Sequence, residues 1–137
     1  MPRKIIALVS EPISAQALKS AVGARTAEEA EVLVLAPALN SRLKFLTSDS
    51  DDAIARAEAV QEETVERMDE EGIDAAGDTG ESDPLLALQD ALQTFAADEI
   101  VLVTHAEGSR NWREEGVVDD ARERFDAPVR HLIVESP

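Results

Sequence analysis

Five short apolar runs, separated by stretches with helical spacing, most constrain what this chain can fold into. The runs read KIIALVS, EVLVLA, IDAA, EIVLV and VRHLIV and begin at residues 4, 31, 73, 99 and 129. Short runs dominated by apolar residues are typical of strands buried on both faces of a parallel sheet. The third run is the weakest, and we expect it at an edge. Strands that alternate with helices predict an α/β fold.

Helix start and stop signals lie between these runs. Ser14 can cap the first helix, and Gly23 either ends that helix or interrupts a longer one. Ser50, followed by two aspartates, opens a long second helix, and Pro84 suits the first turn of the third. A fourth helix is predicted over residues 114–125. The resulting order is β-α-β-α-β-α-β-α-β.

This order predicts one domain over residues 1–137, a length that suits a single core. Right-handed crossovers between parallel strands limit the possible topologies. Among these we expect a three-layer α/β/α sandwich of the Rossmann-like type, with strand order 3-2-1-4-5. Strands 1 and 4 then flank the point where the winding direction reverses. Ligands of such sheets bind there, at the carboxyl ends of the strands. The loops beginning at Ser10 and Thr104 meet at this crevice, which is the predicted ligand site.

The charge balance is strongly acidic, with 29 Asp and Glu against 13 Lys and Arg, a net charge of -16. This charge repels phosphate backbones, so we expect no nucleic-acid partner. It suits both a high-salt cytoplasm and an ordinary acidic soluble protein. The chain has no cysteine for a disulfide framework. It also has no signal-like segment, and no run near the roughly 18 apolar residues of a membrane span. We therefore expect a cytoplasmic protein without a membrane partner.

Motifs for catalysis and metal binding are sparse. His105 lies at the predicted switch point, where it could act as a base, but no acid is placed to orient it. The spacing of Asp78 and Asp83 does not reproduce an EF-hand loop. The patterns GxxxxGK[ST], GxGxxG and GxSxG are missing from the sequence. We predict no catalytic residue, no metal site and a non-enzymatic role, with weak ATPase activity left open.

Three stretches carry a likeness to a known family. They are KIIALVSEPISAQALKSAV at the start, GESDPLLALQDAL in the middle, and ADEIVLVTHAEGSRNWREEGVVDDARERFDAPVRHLIVE at the end. Their order and spacing carry more weight than any one of them. Together they resemble the universal stress protein family over nearly the whole chain. The resemblance implies a domain of that family's α/β fold with a role in the stress response.

Nucleotide-binding members of that family have the pattern G-x2-G-x9-G, followed by Ser or Thr, after the fourth strand. Anchored on Gly116, the pattern places its first two glycines at Val103 and Ala106 and its hydroxyl residue at Val117. The family's aspartate at the end of strand 1 corresponds to Ser10. Side chains at glycine positions hinder the approach of backbone amides to a phosphate. We therefore expect ATP binding to be lost or weak.

The candidate nucleotide-binding residues comprise the degenerate motif and the strand ends around the crevice. They are Ser10, Ala36, Val103, Thr104, His105, Ala106, Gly108, Ser109, Arg110, Gly116 and Val117. Gly108 and Ser109 could rebuild part of an anion nest in a shifted register, with Arg110 supplying charge. No cofactor is required by these motifs, but ATP or AMP stays open as a ligand.

Two functions follow from these features. The leading one is a non-catalytic regulatory or binding module of the stress response. The alternative is an ATP- or AMP-binding universal stress protein that hydrolyses ATP slowly through residues 104–116. A receiver domain is disfavoured, because Ser10 and Glu11 do not form the acidic pair that it needs.

The last predicted strand is the candidate subunit interface. Universal stress proteins often pair this strand across a twofold axis, and an apolar edge strand needs cover. We expect a homodimer through residues 129–134, and a further protein partner stays open.

Overall fold

The structure of the protein, a computed structural model, describes residues 3–9, 13–37, 50–80, 84–105 and 117–134. Within these ranges, strands and helices alternate along the chain. In chain order they are β1 (Lys4–Leu8), α1 (Ala15–Val22), α2 (Ala24–Glu29), β2 (Glu31–Pro37), α3 (Ser50–Glu70), β3 (Asp74–Gly80), α4 (Pro84–Thr94), β4 (Glu99–His105), α5 (Val117–Arg124) and β5 (Val129–Val134). None of the helices in the described part of the chain is both long enough and apolar enough to span a membrane.

The five strands form one parallel sheet in the order β3-β2-β1-β4-β5. β1 is central, with Leu8 opposite Leu35 of β2 and opposite Leu102 of β4. β3 and β5 form the two edges of the sheet. The predicted α/β/α sandwich, its strand order and the edge position of β3 are therefore confirmed.

Alternate residues of each inner strand supply the two apolar cores. Ile5 and Ala7 of β1 pack with α1, α2 and α3 on one face of the sheet. Ile6 and Leu8 pack with α4 and α5 on the other face. This alternation follows from the pleat of a strand, which points successive side chains to opposite faces. Because both faces are covered by helices, an inner strand has to be apolar throughout.

The first helical segment is divided at Gly23. The N–H of Gly23 donates to the carbonyl of Lys19 at 2.7 Å, and its φ of +94° suits a residue without a Cβ. α2 begins at the next residue, so both the predicted break and the further helical stretch are present. At the other end of α1, the side chain of Ser14 accepts a hydrogen bond from the amide of Ala17 at 3.1 Å. The predicted capping role of Ser14 is thereby confirmed.

Three strands extend beyond their predicted ends. β2 includes Pro37, β4 continues to His105, and β3 covers Asp74–Gly80 instead of ending at residue 76. Gly77 and Gly80 are of a residue type that favours turns, but the strand pairs with β2 along its whole length. One of them, Gly77, lies directly beneath α3. A Cβ built there would overlap Oε1 of Gln61 and lie 3.1 Å from Cγ2 of Val65.

Candidate functional site

The switch point of the sheet lies between β1 and β4. These strands are parallel neighbours, although two other strands separate them in sequence. β1 leads to α1 on one face of the sheet, whereas β4 leads to α5 on the opposite face. In sheets of this type, connections that diverge in this way leave a crevice at the carboxyl ends of the strands. The topology therefore confirms the predicted switch point, and ligand binding there stays a prediction.

On the β1 side, the described ends of the connection to α1 are both held by hydrogen bonds. The buried Val9 donates its N–H to the carbonyl of Leu35 at 2.9 Å. Ile13, also buried, donates its N–H to Oγ1 of Thr64 at 3.3 Å. Thus β2 holds one end of this connection and α3 holds the other. The predicted site residue Ser10 lies outside the described residues.

On the β4 side, the chain stays in the sheet through three of the predicted site residues. Val103 is opposite Leu132 of β5, and the pairing continues through Thr104 and His105. The side chain of Val103 is fully buried in the core that α1 and α3 share. Any loop that holds an anion after β4 therefore begins beyond His105.

Ala36 lies near the end of β2, two strands away from Val103. It is 1% exposed and belongs to the same core as Val103. The structure thus brings these two predicted site residues to one face of the sheet. Their side chains pack against the helices of that face, so neither presents a side chain to solvent.

The start of α5 carries negative charge. α5 begins at Val117, and its first turn contains the exposed carboxylates of Asp119 and Asp120. Acidic residues in a first turn interact favourably with the partial positive charge of the helix terminus. The same carboxylates repel a phosphate brought to this end of the helix. These two carboxylates therefore disfavour a highly charged anion at the start of α5.

The remaining predicted site residues are outside the described ranges. They are Ala106, Gly108, Ser109, Arg110 and Gly116. Their assignment to an anion site stays a prediction, as does that of Ser10. In the described part of the chain, no group of three or more His, Asp or Glu side chains is placed to hold a metal ion.

Two buried polar side chains, those of Thr64 and Glu99, make contacts that the sequence does not predict. Thr64 lies at helical spacing with Val60 and Met68 in the apolar stripe of α3, but its buried hydroxyl also donates to the carbonyl of Val60 at 2.8 Å. Glu99, the first residue of the fourth apolar run, is a buried carboxylate that contacts Arg3 and Arg130. A hydroxyl residue within an apolar stripe was the available signal for Thr64. The contacts of Glu99 join residues far apart in sequence and leave no local pattern.

The whole chain was compared with known proteins. Neither a protein-family model nor a curated protein sequence matches it. Among solved structures, it is similar to a universal stress protein from Archaeoglobus fulgidus, with 16% identity and a TM-score of 0.67, covering 96% of this chain and 99% of the other. It is also similar to a universal stress protein family protein from Arabidopsis thaliana with AMP bound, with 14% identity and a TM-score of 0.68, covering 96% of this chain and 92% of the other. Strand order, switch point and these likenesses together show that the chain has the fold of the universal stress proteins.

Proposed function

We propose that this protein is a universal stress protein that acts as a non-catalytic binding module in a stress response. In this proposal, its crevice holds a nucleoside triphosphate weakly or not at all. The shared fold and the switch-point crevice support a binding role. The degenerate motif and the negative charge around the crevice support weak binding of a triphosphate.

The burial of Val103 is the observation that carries the proposal. In the motif register anchored on Gly116, this residue stands where nucleotide-binding relatives have their first glycine. Its side chain is fully buried and its backbone pairs with β5. A glycine that serves a phosphate leaves room for close approach to backbone N–H groups. Val103 instead fills the core, so this chain uses the position for packing.

Charge favours the same conclusion. Asp119 and Asp120 lie in the first turn of α5, and the whole chain has a net charge of -16. Repulsion grows with the charge of the ligand, so it opposes a triphosphate more than a monophosphate. Added salt weakens this repulsion between exposed groups.

The second candidate function is binding of AMP. The crevice between β1 and β4 is at the place where such sheets bind ligands, and the similar Arabidopsis structure contains AMP. A monophosphate needs fewer backbone donors than a triphosphate, so it depends less on the degenerate motif. This candidate requires neither hydrolysis nor a catalytic residue.

Calorimetric titration of the full chain with ATP, ADP and AMP, at low and high KCl, tests both candidates. We expect ATP to bind with a Kd weaker than about 1 mM, equivalent to roughly -4 kcal/mol, and AMP to bind more tightly than ATP. Gly116→Asp adds a carboxylate within the motif. Gln89→Glu adds one on the exposed surface of α4 and serves as the control. Micromolar ATP binding that Gly116→Asp abolishes and Gln89→Glu leaves intact would refute the leading proposal.

Homodimerisation through β5 is part of the proposal. Among the described residues, β5 pairs with β4 and forms an edge of the sheet. Ile133 of this strand is 51% exposed, one of two large apolar side chains with high exposure in the described part of the chain. An edge strand with an exposed isoleucine favours pairing with a second subunit of the same protein.

The oligomeric state of matched variants tests the interface. Ile133→Arg places a charge on β5, whereas Leu86→Arg places one on α4 at the other exposed apolar side chain. By light scattering after size exclusion, we expect the wild type and Leu86→Arg to be dimers and Ile133→Arg to be a monomer. A monomeric wild type, or a dimer of unchanged stability in Ile133→Arg, would rule out this interface.

A further inference from the structure

A buried hydroxyl joins α3 to the start of α1. Thr64 is fully buried within the core shared by α1, α2 and α3. Its Oγ1 lies 2.8 Å from the carbonyl oxygen of Val60 and 3.3 Å from the amide nitrogen of Ile13. The second contact connects residues 51 positions apart in sequence. It is therefore a tertiary contact and not part of a local turn.

The two hydrogen bonds have defined directions. The amide of Ile13 has a proton to donate, and the carbonyl of Val60 can only accept. The hydroxyl of Thr64 therefore donates its one proton to Val60 and accepts from Ile13. A buried backbone N–H without a partner is costly, and Ile13 is only 1% exposed. α3 thus supplies the acceptor that the entry to α1 needs.

This contact lies beside the candidate crevice. Ile13 directly precedes Ser14, which caps α1, and α1 leaves the carboxyl end of β1. The preceding described residue, Val9, is held separately by the carbonyl of Leu35. The hydrogen bond from Ile13 therefore adds a polar contact between the start of α1 and α3 to the apolar packing that the two helices share.

We propose that Thr64 is a positioning residue: it fixes the start of α1 against α3 and thereby shapes the β1 side of the ligand crevice. This inference deepens the proposed function and rests on it, because it assumes that the crevice is the binding site. Thr64 itself is buried in the core and acts through Ile13. Coupling of this kind is reciprocal, so a ligand that binds beside the start of α1 also changes the strength of the contact.

Hydrogen exchange of individual amides in the full chain tests the contact without any ligand. Thr64→Val keeps the shape of the side chain and removes the hydroxyl, whereas Thr64→Ser keeps the hydroxyl. We expect the amide of Ile13 to exchange about tenfold faster or more in Thr64→Val, as the loss of one hydrogen bond implies, and to stay within about threefold in Thr64→Ser.

A remote amide separates positioning from general loss of stability. The amide of Ile100 donates to the carbonyl of Pro128 at 2.9 Å, away from α3. In Thr64→Val, exchange at Ile13 should rise by a larger factor than exchange at Ile100. An equal rise at both amides, or no change at Ile13, overturns the positioning role.

Titration of the same three proteins with AMP, followed by NMR, tests the link to the crevice. We expect Thr64→Val to bind AMP at least about threefold more weakly than the wild type, and Thr64→Ser to restore the affinity. Equal affinity of all three proteins overturns the claim that Thr64 shapes the site. If the wild type binds no AMP, the second candidate function fails, and the exchange of Ile13 alone decides whether Thr64 positions α1.

Discussion

The guanidinium of Arg130 on β5 lies 3.4 Å from Oε1 of the buried Glu99 on β4. The guanidinium of Arg3, just before β1, lies 3.8 Å from the same oxygen. The side chain of Glu99 is 5% exposed, whereas the two arginines are about half exposed. One buried carboxylate therefore joins three neighbouring strands, including the edge strand β5.

The first prediction concerns the cations around Glu99. Replacing both arginines, Arg3→Met with Arg130→Met, leaves a buried carboxylate without its partners. We expect a loss of about 2–4 kcal/mol in the free energy of unfolding, because desolvation of the carboxylate is no longer offset. Glu99→Gln should cost less, about 1 kcal/mol, because the half-exposed arginines can be solvated by water. Urea unfolding measures both changes.

The exposed pair of Arg25 and Glu29 on α2 supplies the control. Its atoms lie 3.4 Å apart, as in the pair of Arg130 and Glu99, but its side chains are 91% and 68% exposed. Arg25→Met should leave stability unchanged within error, because solvent screens such pairs. If Glu99→Gln lowers the free energy of unfolding more than the double arginine variant does, desolvation of the buried carboxylate is not the main cost.

The second prediction concerns the close approach of α3 to β3. Gly77→Val places branched carbons against the side chains of Gln61 and Val65, so Gln61 has to change its conformation and Val65 has to shift slightly. We expect a loss of about 1–3 kcal/mol in the free energy of unfolding. Ala76→Val is the control, since Ala76 is exposed on the opposite face of the same strand. Equal denaturation midpoints for Gly77→Val and Ala76→Val would exclude tight packing at Gly77.

Local chemistry explains how much of the fold could be predicted. The apolar runs and the capping side chain of Ser14 act over a few residues, so the sequence predicts the strands and the start of α1. The extension of β3 depends on pairing with β2 and on the passage of α3 over Gly77. Such tertiary effects override the turn preference of glycine and leave no local signal.

The candidate site, like the fold, could be predicted only in part from the sequence. Its location follows from strand order, which the alternation of helices and strands predicts. The burial of Val103 depends on which face of β4 meets α1, and the partner of Thr64 is 51 residues away. Neither relationship is visible in the sequence alone, because both arise from packing between elements.

The third prediction tests the cap of α1. Ser14→Ala removes the acceptor for the amide of Ala17 and should lower the free energy of unfolding by about 1 kcal/mol. Ser20→Ala is the control within the same helix, because the hydroxyl of Ser20 only bonds back to the carbonyl of Ala17 and alanine has the higher helix propensity. Equal losses in the two variants, measured by chemical denaturation, would contradict the capping role.

The fourth prediction separates packing from nucleotide binding at Val103. Val103→Gly restores the first glycine of the family motif but removes a fully buried side chain from the core. We expect a loss of about 3 kcal/mol or more, from the cavity and from glycine's backbone entropy, with no gain in ATP affinity. Thermal unfolding and calorimetry check the two parts. Tighter ATP binding in this variant would mean that the valine side chain alone blocks the phosphate.

The fifth prediction concerns the net charge of -16. Charges of one sign repel one another in the compact state, and salt shortens the range of that repulsion from about 10 Å at 0.1 M to about 3 Å at 1 M. We therefore expect the Tm to rise with KCl. An equally concentrated solution of sorbitol, which does not screen charge, serves as the control.

A variant with fewer charges sharpens this test. Glu58, Glu62 and Glu66 lie exposed along one side of α3, four residues apart. Like charges at this spacing destabilise a helix, so replacing all three by Gln should raise the Tm at low salt and reduce its dependence on KCl. An identical response to KCl in this variant and the wild type would exclude repulsion along α3 as a source of the effect. A Tm that falls as KCl is added would show that attractive ion pairs, such as those of Glu99, outweigh the excess of negative charge.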